Sequence, residues 1–159
     1  MHRVTLITVG TLKEPYLREA AEEYRTRLSA FCDLREVNLP EERIADEDDP
    51  RAVSAALSRE GEKILAALPK GAPLIALCVE GKQLSSEEFA EAVGQYGDAS
   101  GTLAFVIGSS HGLSPAVKGK AALKLSYSKM TFPHQLMRVL FLESLYRAYS
   151  IRAGKRYHK

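Results

Sequence analysis

The most informative pattern of the chain lies in residues 123–159, which read LKLSYSKMTFPHQLMRVLFLESLYRAYSIRAGKRYHK. The alternation of Leu123 and Leu125 predicts a strand, and Pro133 suits the first turn of a helix, where its missing N–H has no helical acceptor. Across residues 136–151, apolar side chains fall on nearly every side of that helix. A helix without a polar face must be buried all round. The stretch therefore predicts a strand, a polar loop and a helix that is covered partly by its own domain and partly by a second copy of the chain.

The predicted helix is expected to end near Gly154, because glycine readily adopts the left-handed conformation that closes many helices. A short basic tail follows, made of Lys155, Arg156, Tyr157, His158 and Lys159. An aromatic ring and an imidazole within a basic tail can stack on RNA and contact it. A disordered terminus explains the same composition equally well, so both interpretations stay open at this point.

The composition is that of one globular domain. The chain has 159 residues, of which 45% are hydrophobic and 26% are charged, so it can bury a core of its own. No repeat, low-complexity tract or linker divides it, and we predict a single domain over residues 1–159. Its apolar runs fall short of the ~20 residues of a membrane span, and it lacks the apolar run of a signal peptide. We therefore expect a soluble, cytoplasmic protein with no membrane partner.

The two cysteines, Cys32 and Cys78, lie in apolar, strand-like surroundings. Neither belongs to a C-x-x-C or His-rich pattern of the kind that binds zinc. We predict that both are reduced core residues and that the protein has no metal site.

Charge is divided unevenly along the chain. Residues 1–114 carry 12 Lys and Arg against 19 Asp and Glu, whereas residues 115–159 carry 10 against 1. The total charge of +2 hides this asymmetry. The bases crowd the segment that also holds the buried helix, which indicates a partner rich in phosphate, nucleic acid above all.

Upstream of the terminal stretch, predicted strands alternate with predicted helices. Apolar runs predict strands at residues 4–9, 34–39, 73–79 and 102–107. Apolar steps of three and four residues, together with capping signals, predict helices that begin near Pro15, Pro50, Ser85 and Ser114. The runs PLIALCV and TLAFVI are apolar without alternation, as in strands that are covered on both faces. The predicted class is α/β, with a mostly parallel sheet and helices on both faces.

Two turns follow the buried strands at the same edge of the predicted sheet. Ligands of open α/β sheets bind beyond the carboxyl ends of the strands, so the turn at residues 77–82 is a candidate site wall. The other turn contains Gly108 and Gly112. It lacks the third glycine of the dinucleotide fingerprint and the lysine of a phosphate loop. On its own it favours a simple turn over a nucleotide site.

A hydrolase is an alternative with less support. Ser109, Ser110, His111 and His134 supply hydroxyls and imidazoles, but no G-x-S-x-G elbow surrounds either serine. Loop hydroxyls usually bond to nearby backbone groups. We expect His134, at the start of the last helix, to be a structural hydrogen-bonding residue.

Six elements spread over the whole chain resemble a single family. They are VGTLKE at residues 9–14, GK at 81–82, FVIG at 105–108, SKMTFPHQ at 128–135, ESLYRA at 143–148 and YHK at 157–159. In the order of these elements and in its total length, the chain is similar to the ribosomal RNA large subunit methyltransferase H (RlmH) family. This family belongs to the SPOUT class of methyltransferases. The element SKMTFPHQ is the most specific part of the resemblance.

The resemblance implies a homodimer of α/β subunits in which the C-terminal part threads through a loop to make a deep trefoil knot. It also implies that S-adenosylmethionine binds in the knot. The cofactor-binding residues that it places on this chain are Leu77, Gly108, Tyr127, Ser128, Lys129, Met130, Thr131 and Phe132. The family often has a glycine where this chain has Ser109, which questions any glycine-only conformation there.

The reaction implied by the resemblance is methylation of the N3 ring nitrogen of a pseudouridine in large-subunit (23S) ribosomal RNA, with the assembled ribosome as substrate. Arg147, Tyr157 and His158 are our candidates for positioning that RNA, and no residue stands out as a general base. A non-catalytic ribosome- or RNA-binding protein is the alternative function, because the basic C-terminal third would suffice for it.

Overall fold

Residues 1–158, which the computed structural model describes, form five strands and five helices. The strands are β1 (His2–Val9), β2 (Cys32–Leu39), β3 (Leu74–Gln83), β4 (Thr102–Ile107) and β5 (Leu123–Ser126). The helices are α1 (Pro15–Leu28), α2 (Pro50–Ala67), α3 (Ser86–Ser100), α4 (Pro115–Lys120) and α5 (His134–Arg152). The strand order across the sheet is β2-β1-β4-β3-β5, and all neighbouring strands are parallel. The predicted α/β class and the predicted alternation of elements are confirmed.

Local sequence signals start most of the helices. Proline lies in the first turn of α1, α2 and α4, where its missing N–H costs no helical hydrogen bond. The side chains of Asp49 and Ser114 cap α2 and α4. Before α3, Ser85 and Glu88 form a capping box in which each side chain accepts the backbone N–H of the other residue at 3.1 Å. The helix starts predicted at Ser85 and Ser114 are confirmed.

Helices cover both faces of the sheet, as predicted. On one face α1, α3 and α5 form a core in which the ring of Phe105 packs against those of Phe89 and Phe141. On the other face α2 and α4 contribute Ile64 and Val117 to a second core. The central strands send alternate side chains into these two cores, which explains why their sequences are apolar without alternation.

Helix α5 packs against α1 and α3 and buries Phe141 and Leu145. Arg138 lies on the same buried side, with 4% of its surface exposed. Its guanidinium donates to the carbonyl oxygens of Val9 and Gly10. The apolar periodicity did not predict this position, because an arginine is almost never fully buried unless it is paired.

Gly154 has the left-handed conformation that was predicted for the end of α5, with a φ of +67°. The chain then turns back toward the helix, because the N–H of Lys155 donates to the carbonyl of Ser150 at 2.9 Å. Lys159, the last residue of the YHK element, lies outside the described residues.

The strand order is compatible with the trefoil knot that the resemblance implies, and the knot stays a prediction. Within residues 1–158, none of the helices combines the length and the apolar character that a membrane crossing requires. Cys32 is a buried free thiol, as predicted.

Candidate functional site

A cleft of about 630 Å³ opens beyond the carboxyl ends of β3, β4 and β5. Most of its lining comes from residues 77–80, residues 107–113 and the region around residues 127–133, which we call the β5–α5 loop. Cavities of this size hold cofactors and other small molecules. The cleft lies at the edge where open parallel sheets bind ligands, and it includes part of the turn predicted as a site wall.

The first wall is an excursion of β3 away from β5. Leu77 and Lys82 both pair with the same residue of β5, so residues 78–81 leave the ladder between them. Gly81 permits this path, because a Cβ on it would lie less than 3.0 Å from the backbone of β5. The excursion brings the half-buried Cys78 into the cleft lining, so the predicted core position is wrong for this cysteine.

The second wall is the turn after β4. A Cβ on Gly108 would lie less than 3.0 Å from the carbonyl oxygen of Gly112, so glycine alone fits without displacing the turn. The N–H of Gly112 donates to the carbonyl of Ser109 at 2.9 Å, and Gly112 has a φ of +91°. Ser109 is buried and has a negative φ, so its conformation does not require glycine.

The third wall is the β5–α5 loop, which its own hydroxyls shape. The hydroxyl of Ser126 donates to the carbonyl of Ser128 at 3.0 Å, and the hydroxyl of Ser128 accepts the N–H of Met130 at 3.0 Å. Met130 and Phe132 line the cleft and keep 73% and 37% of their surface exposed. The loop therefore presents apolar side chains to whatever enters the cleft.

The hydroxyl of Tyr127 is buried and has no hydrogen-bond partner among the described residues. The hydroxyl of Ser144, which lines the same second cavity as Tyr127, donates to the carbonyl of Leu140 at 2.7 Å. Burial raises the pKa of Tyr127 above its ordinary value, so the phenol stays neutral. Tyr127 lines both the cleft and a second cavity of about 150 Å³. A buried hydroxyl without a partner is available to a ligand or a water molecule.

Seven of the eight predicted cofactor-binding residues line the cleft together: Leu77, Gly108, Tyr127, Ser128, Met130, Thr131 and Phe132. The eighth, Lys129, belongs to the same loop but is exposed and lies outside the lining. The lining also contains Glu80 and Lys118, which form an ion pair between β3 and α4. No local sequence signal indicated this pair, because its partners are far apart in the chain.

The residues of the hydrolase alternative also meet in the cleft, but without the bonds that such a site needs. Ser109, Ser110, His111 and His134 all contribute to the lining. His111 lies 3.4 Å from Glu47, and within residues 1–158 no hydroxyl bonds to either imidazole. The side chain of His134 makes no hydrogen bond in that part of the chain, contrary to its predicted structural role. A serine nucleophile requires an adjacent base, which this arrangement does not provide.

The three RNA-positioning candidates lie together outside the cleft lining, beside α3 and α5. The hydroxyl of Tyr157 donates to Glu143 at 3.1 Å, and the guanidinium of Arg147 lies 4.7 Å from the centroid of the Tyr157 ring. His158 bridges Arg147 at 3.1 Å and Glu87 of α3 at 2.7 Å. These contacts dock the tail on the domain, and they favour an ordered element over a disordered terminus.

Burial and the hydrogen bond to Glu143 raise the pKa of Tyr157 to about 12. Glu143 in turn raises the pKa of Arg147 above its ordinary value. At neutral pH the docked tail therefore presents a neutral phenol beside a charged guanidinium. In the described part of the chain, no three His, Cys, Asp or Glu residues are grouped so that they could hold a metal ion.

Comparison with known proteins agrees with this geometry. A family model described as "Predicted SPOUT methyltransferase" matches residues 2–158. The chain is 49% identical over 157 residues to the ribosomal RNA large subunit methyltransferase H of Clostridium novyi (strain NT), with 98% of this chain and 99% of that protein covered. It is 47% identical over 163 residues to the protein of the same name from Bifidobacterium adolescentis, with 99% of each covered.

A solved structure shows a related fold. It is a probable methylase family protein from Haemophilus influenzae Rd KW20, with a TM-score of 0.52 and 16% sequence identity. The match covers 97% of this chain and 67% of that one. The sequence relatives, the family match and the parallel α/β architecture all agree. The chain belongs to the SPOUT methyltransferase family.

Proposed function

We propose that this protein uses S-adenosylmethionine to methylate N3 of a pseudouridine in large-subunit (23S) ribosomal RNA on the assembled ribosome. The observation that supports the proposal most strongly is the convergence of three distant segments, with seven expected cofactor-binding residues, in one cleft. The relatives named above are ribosomal RNA methyltransferases, and the basic residues 115–159 suit an RNA substrate. A ribosomal substrate also supports the proposal that the enzyme is cytoplasmic.

The cleft residues fit this cofactor. Leu77, Ile107 and Leu125 supply apolar surface of the kind that an adenine ring packs on. The buried hydroxyl of Tyr127 is free to bond to a ligand. Gly108 keeps its turn compact, so that peptide groups rather than side chains border the cleft at this point. Lys129 would contribute through its backbone, since its side chain is exposed.

When bound, S-adenosylmethionine supplies a strongly electrophilic methyl group. The protein then has to exclude water and align the acceptor for in-line attack. The exposed apolar side chains of Met130 and Phe132 are placed to exclude water when the RNA is bound. The acceptor nitrogen must lose a proton, and nearby cationic groups favour its anion. We assign no side chain as the general base.

Arg147, Tyr157 and His158 would position the RNA. All three are held by one network of contacts with Glu143 and Glu87, so they act as a unit. None of them lines the cleft of its own protomer. We infer that the three residues reach the substrate across a homodimer, in which the tail of one protomer positions the RNA at the cleft of the other.

The homodimer is supported by the apolar residues that α5 leaves uncovered within one protomer. Leu136 is 37% exposed, and Val139 and Leu140 are half-buried. Changing Leu140 to Glu would place a charge in the proposed interface, where it would be unpaired. Sedimentation velocity should then show monomers or loss of the folded protein. A soluble, dimeric and fully active variant would contradict the proposed interface.

Calorimetric titration of the protein with S-adenosylmethionine separates the candidate functions. The methyltransferase binds the cofactor, whereas a non-catalytic RNA-binding protein does not. A serine hydrolase would also ignore the cofactor and would instead be labelled by serine-directed reagents. A folded, pure protein that shows no heat of cofactor binding would refute the proposal.

A further inference from the structure

Two oppositely charged side chains meet in the cleft lining. Glu80 belongs to the excursion of β3, and Lys118 belongs to the last turn of α4, where the two form an ion pair. Among the described residues of the lining, these two are the only Asp, Glu, Lys or Arg residues. The cleft thus has one charged region in a lining that is otherwise apolar or neutral.

S-adenosylmethionine has two chemically different ends. Its adenosine is neutral and suits apolar surface and peptide hydrogen bonds. Its amino-acid end carries an ammonium and a carboxylate on the same carbon atom. Charged groups that leave water need partners of opposite charge, and hydrogen bonds between charged groups are the strongest kind. A cleft that encloses the whole molecule therefore needs charged or hydrogen-bonding partners at one end.

We propose that Lys118 and Glu80 bind the amino-acid end of the cofactor. The Nζ of Lys118 donates to the α-carboxylate, and the carboxylate of Glu80 accepts from the α-ammonium. The ion pair and the zwitterion then form a ring of four alternating charges, in which each group has neighbours of opposite sign. This inference rests on the proposed function and names two further binding residues for it.

The pair is able to open for such a ligand. The side chains of Lys118 and Glu80 are 30% and 52% exposed, and ion pairs with this much solvent contact contribute little to stability. Lys118 lowers the pKa of Glu80, so Glu80 is a carboxylate at neutral pH. The two side chains also come from different elements, so both positions are fixed independently by β3 and α4.

The rival explanation is that the ion pair only holds β3 and α4 together. The binding of three ligands distinguishes this explanation from a role in cofactor binding. S-adenosylhomocysteine carries both the ammonium and the carboxylate. Decarboxylated S-adenosylmethionine keeps the ammonium alone, and 5′-methylthioadenosine has neither group. Isothermal titration calorimetry of each ligand therefore reports on each charged contact separately, without any need for methyl transfer.

Lys118→Ala should lower the affinity for S-adenosylhomocysteine about tenfold, as expected for the loss of a charge-assisted hydrogen bond. The affinities for the other two ligands should stay unchanged. Glu80→Gln should lower the affinity for the two ligands that carry the ammonium and leave the affinity for 5′-methylthioadenosine unchanged. Lys120→Ala is the matched control, because Lys120 lies in the same helix, is exposed and is not part of the lining. It should bind all three ligands like the wild type.

Equal weakening of all three ligands by Lys118→Ala would mean that the pair only holds the cleft in shape, and would overturn the inference. Unchanged binding of S-adenosylhomocysteine to that variant would overturn it as well, while leaving the proposed function intact. Failure of the wild-type protein to bind any of the three adenosyl compounds would instead refute the proposed function, and this inference with it.

Discussion

The Nη2 atom of Arg138 donates to the carbonyl oxygen of Gly10 at 2.6 Å, across 128 residues of sequence. The same atom donates to the carbonyl of Val9 at 2.9 Å. One turn earlier in α5, the side chain of Gln135 accepts the backbone N–H of Lys13 at 3.1 Å. These bonds tie the start of α5 to the end of β1. They thereby fix the helix into which the β5–α5 loop runs.

Replacing Arg138 with Leu should destabilise the protein. The substitution removes a charged donor from the carbonyl oxygens of Val9 and Gly10, and losing a hydrogen bond to a charged group costs about 1.5–3 kcal/mol. Urea denaturation should show a lower free energy of unfolding. Arg18→Leu is the control, since Arg18 is exposed on α1. Equal stability of the Arg138 variant and the wild type would show that these bonds do not hold α5 in place.

Adding one methyl group at Gly108 should impair cofactor binding. In Gly108→Ala the new Cβ would collide with the carbonyl of Gly112 and displace the turn that forms the second wall of the cleft. We expect calorimetry to show weaker S-adenosylmethionine binding by the folded variant. Gly119→Ala provides the comparison, because a Cβ there meets open space and alanine is favoured over glycine in a helix by about 1 kcal/mol. If Gly108→Ala bound S-adenosylmethionine with wild-type affinity, this turn would not be part of the cofactor site.

The docked tail should be visible in the ionisation of Tyr157. Its pKa is raised from 10.0 to about 12, so the folded state favours the neutral phenol. The stabilisation that this provides is fully present below pH 10.0 and is lost as the pH rises through about 12. The difference in phenolate absorbance between the wild type and Tyr157→Phe should have its midpoint near the raised value. A midpoint at the ordinary value would mean that the tail is not docked in solution.

Removing the tail side chains should slow methyl transfer to the RNA without changing the affinity for the cofactor. Tyr157→Ala and His158→Ala should lower the rate of methyl transfer to ribosomes by about tenfold or more, because misplacing a substrate is costly in rate. Their affinity for S-adenosylmethionine should stay at the wild-type value, since neither residue lines the cleft. Arg51→Ala is the control, since Arg51 is exposed on α2 and belongs neither to the tail nor to the cleft lining. If cofactor affinity fell together with the rate, the tail would maintain the shape of the cleft and would not position the RNA.

Local signals explain what the sequence could predict. The capping box of Ser85 and Glu88 and the left-handed Gly154 involve neighbouring residues, so the sequence shows them directly. The apolar runs predicted two-sided burial for the same reason. At Gly108, local reasoning favoured a simple turn, and only the resemblance indicated a cofactor site there.

Long-range contacts explain what the sequence could not predict. The burial of Arg138 depends on carbonyl groups at the other end of the chain. The excursion at residues 78–81 depends on how β3 pairs with β5, and the position of Cys78 follows from it. The pairing of Glu80 with Lys118 requires both β3 and α4 to be in place. No periodicity within a short window contains this information.

Methylation of ribosomal RNA can be tested by the transfer of a labelled methyl group from S-adenosylmethionine to ribosomes from a strain that lacks the modification, followed by nucleoside mass spectrometry. We predict a new methylpseudouridine with intact ribosomes and none with free large subunits. If a protein that binds S-adenosylmethionine leaves the ribosomal RNA unlabelled, the proposed substrate is contradicted.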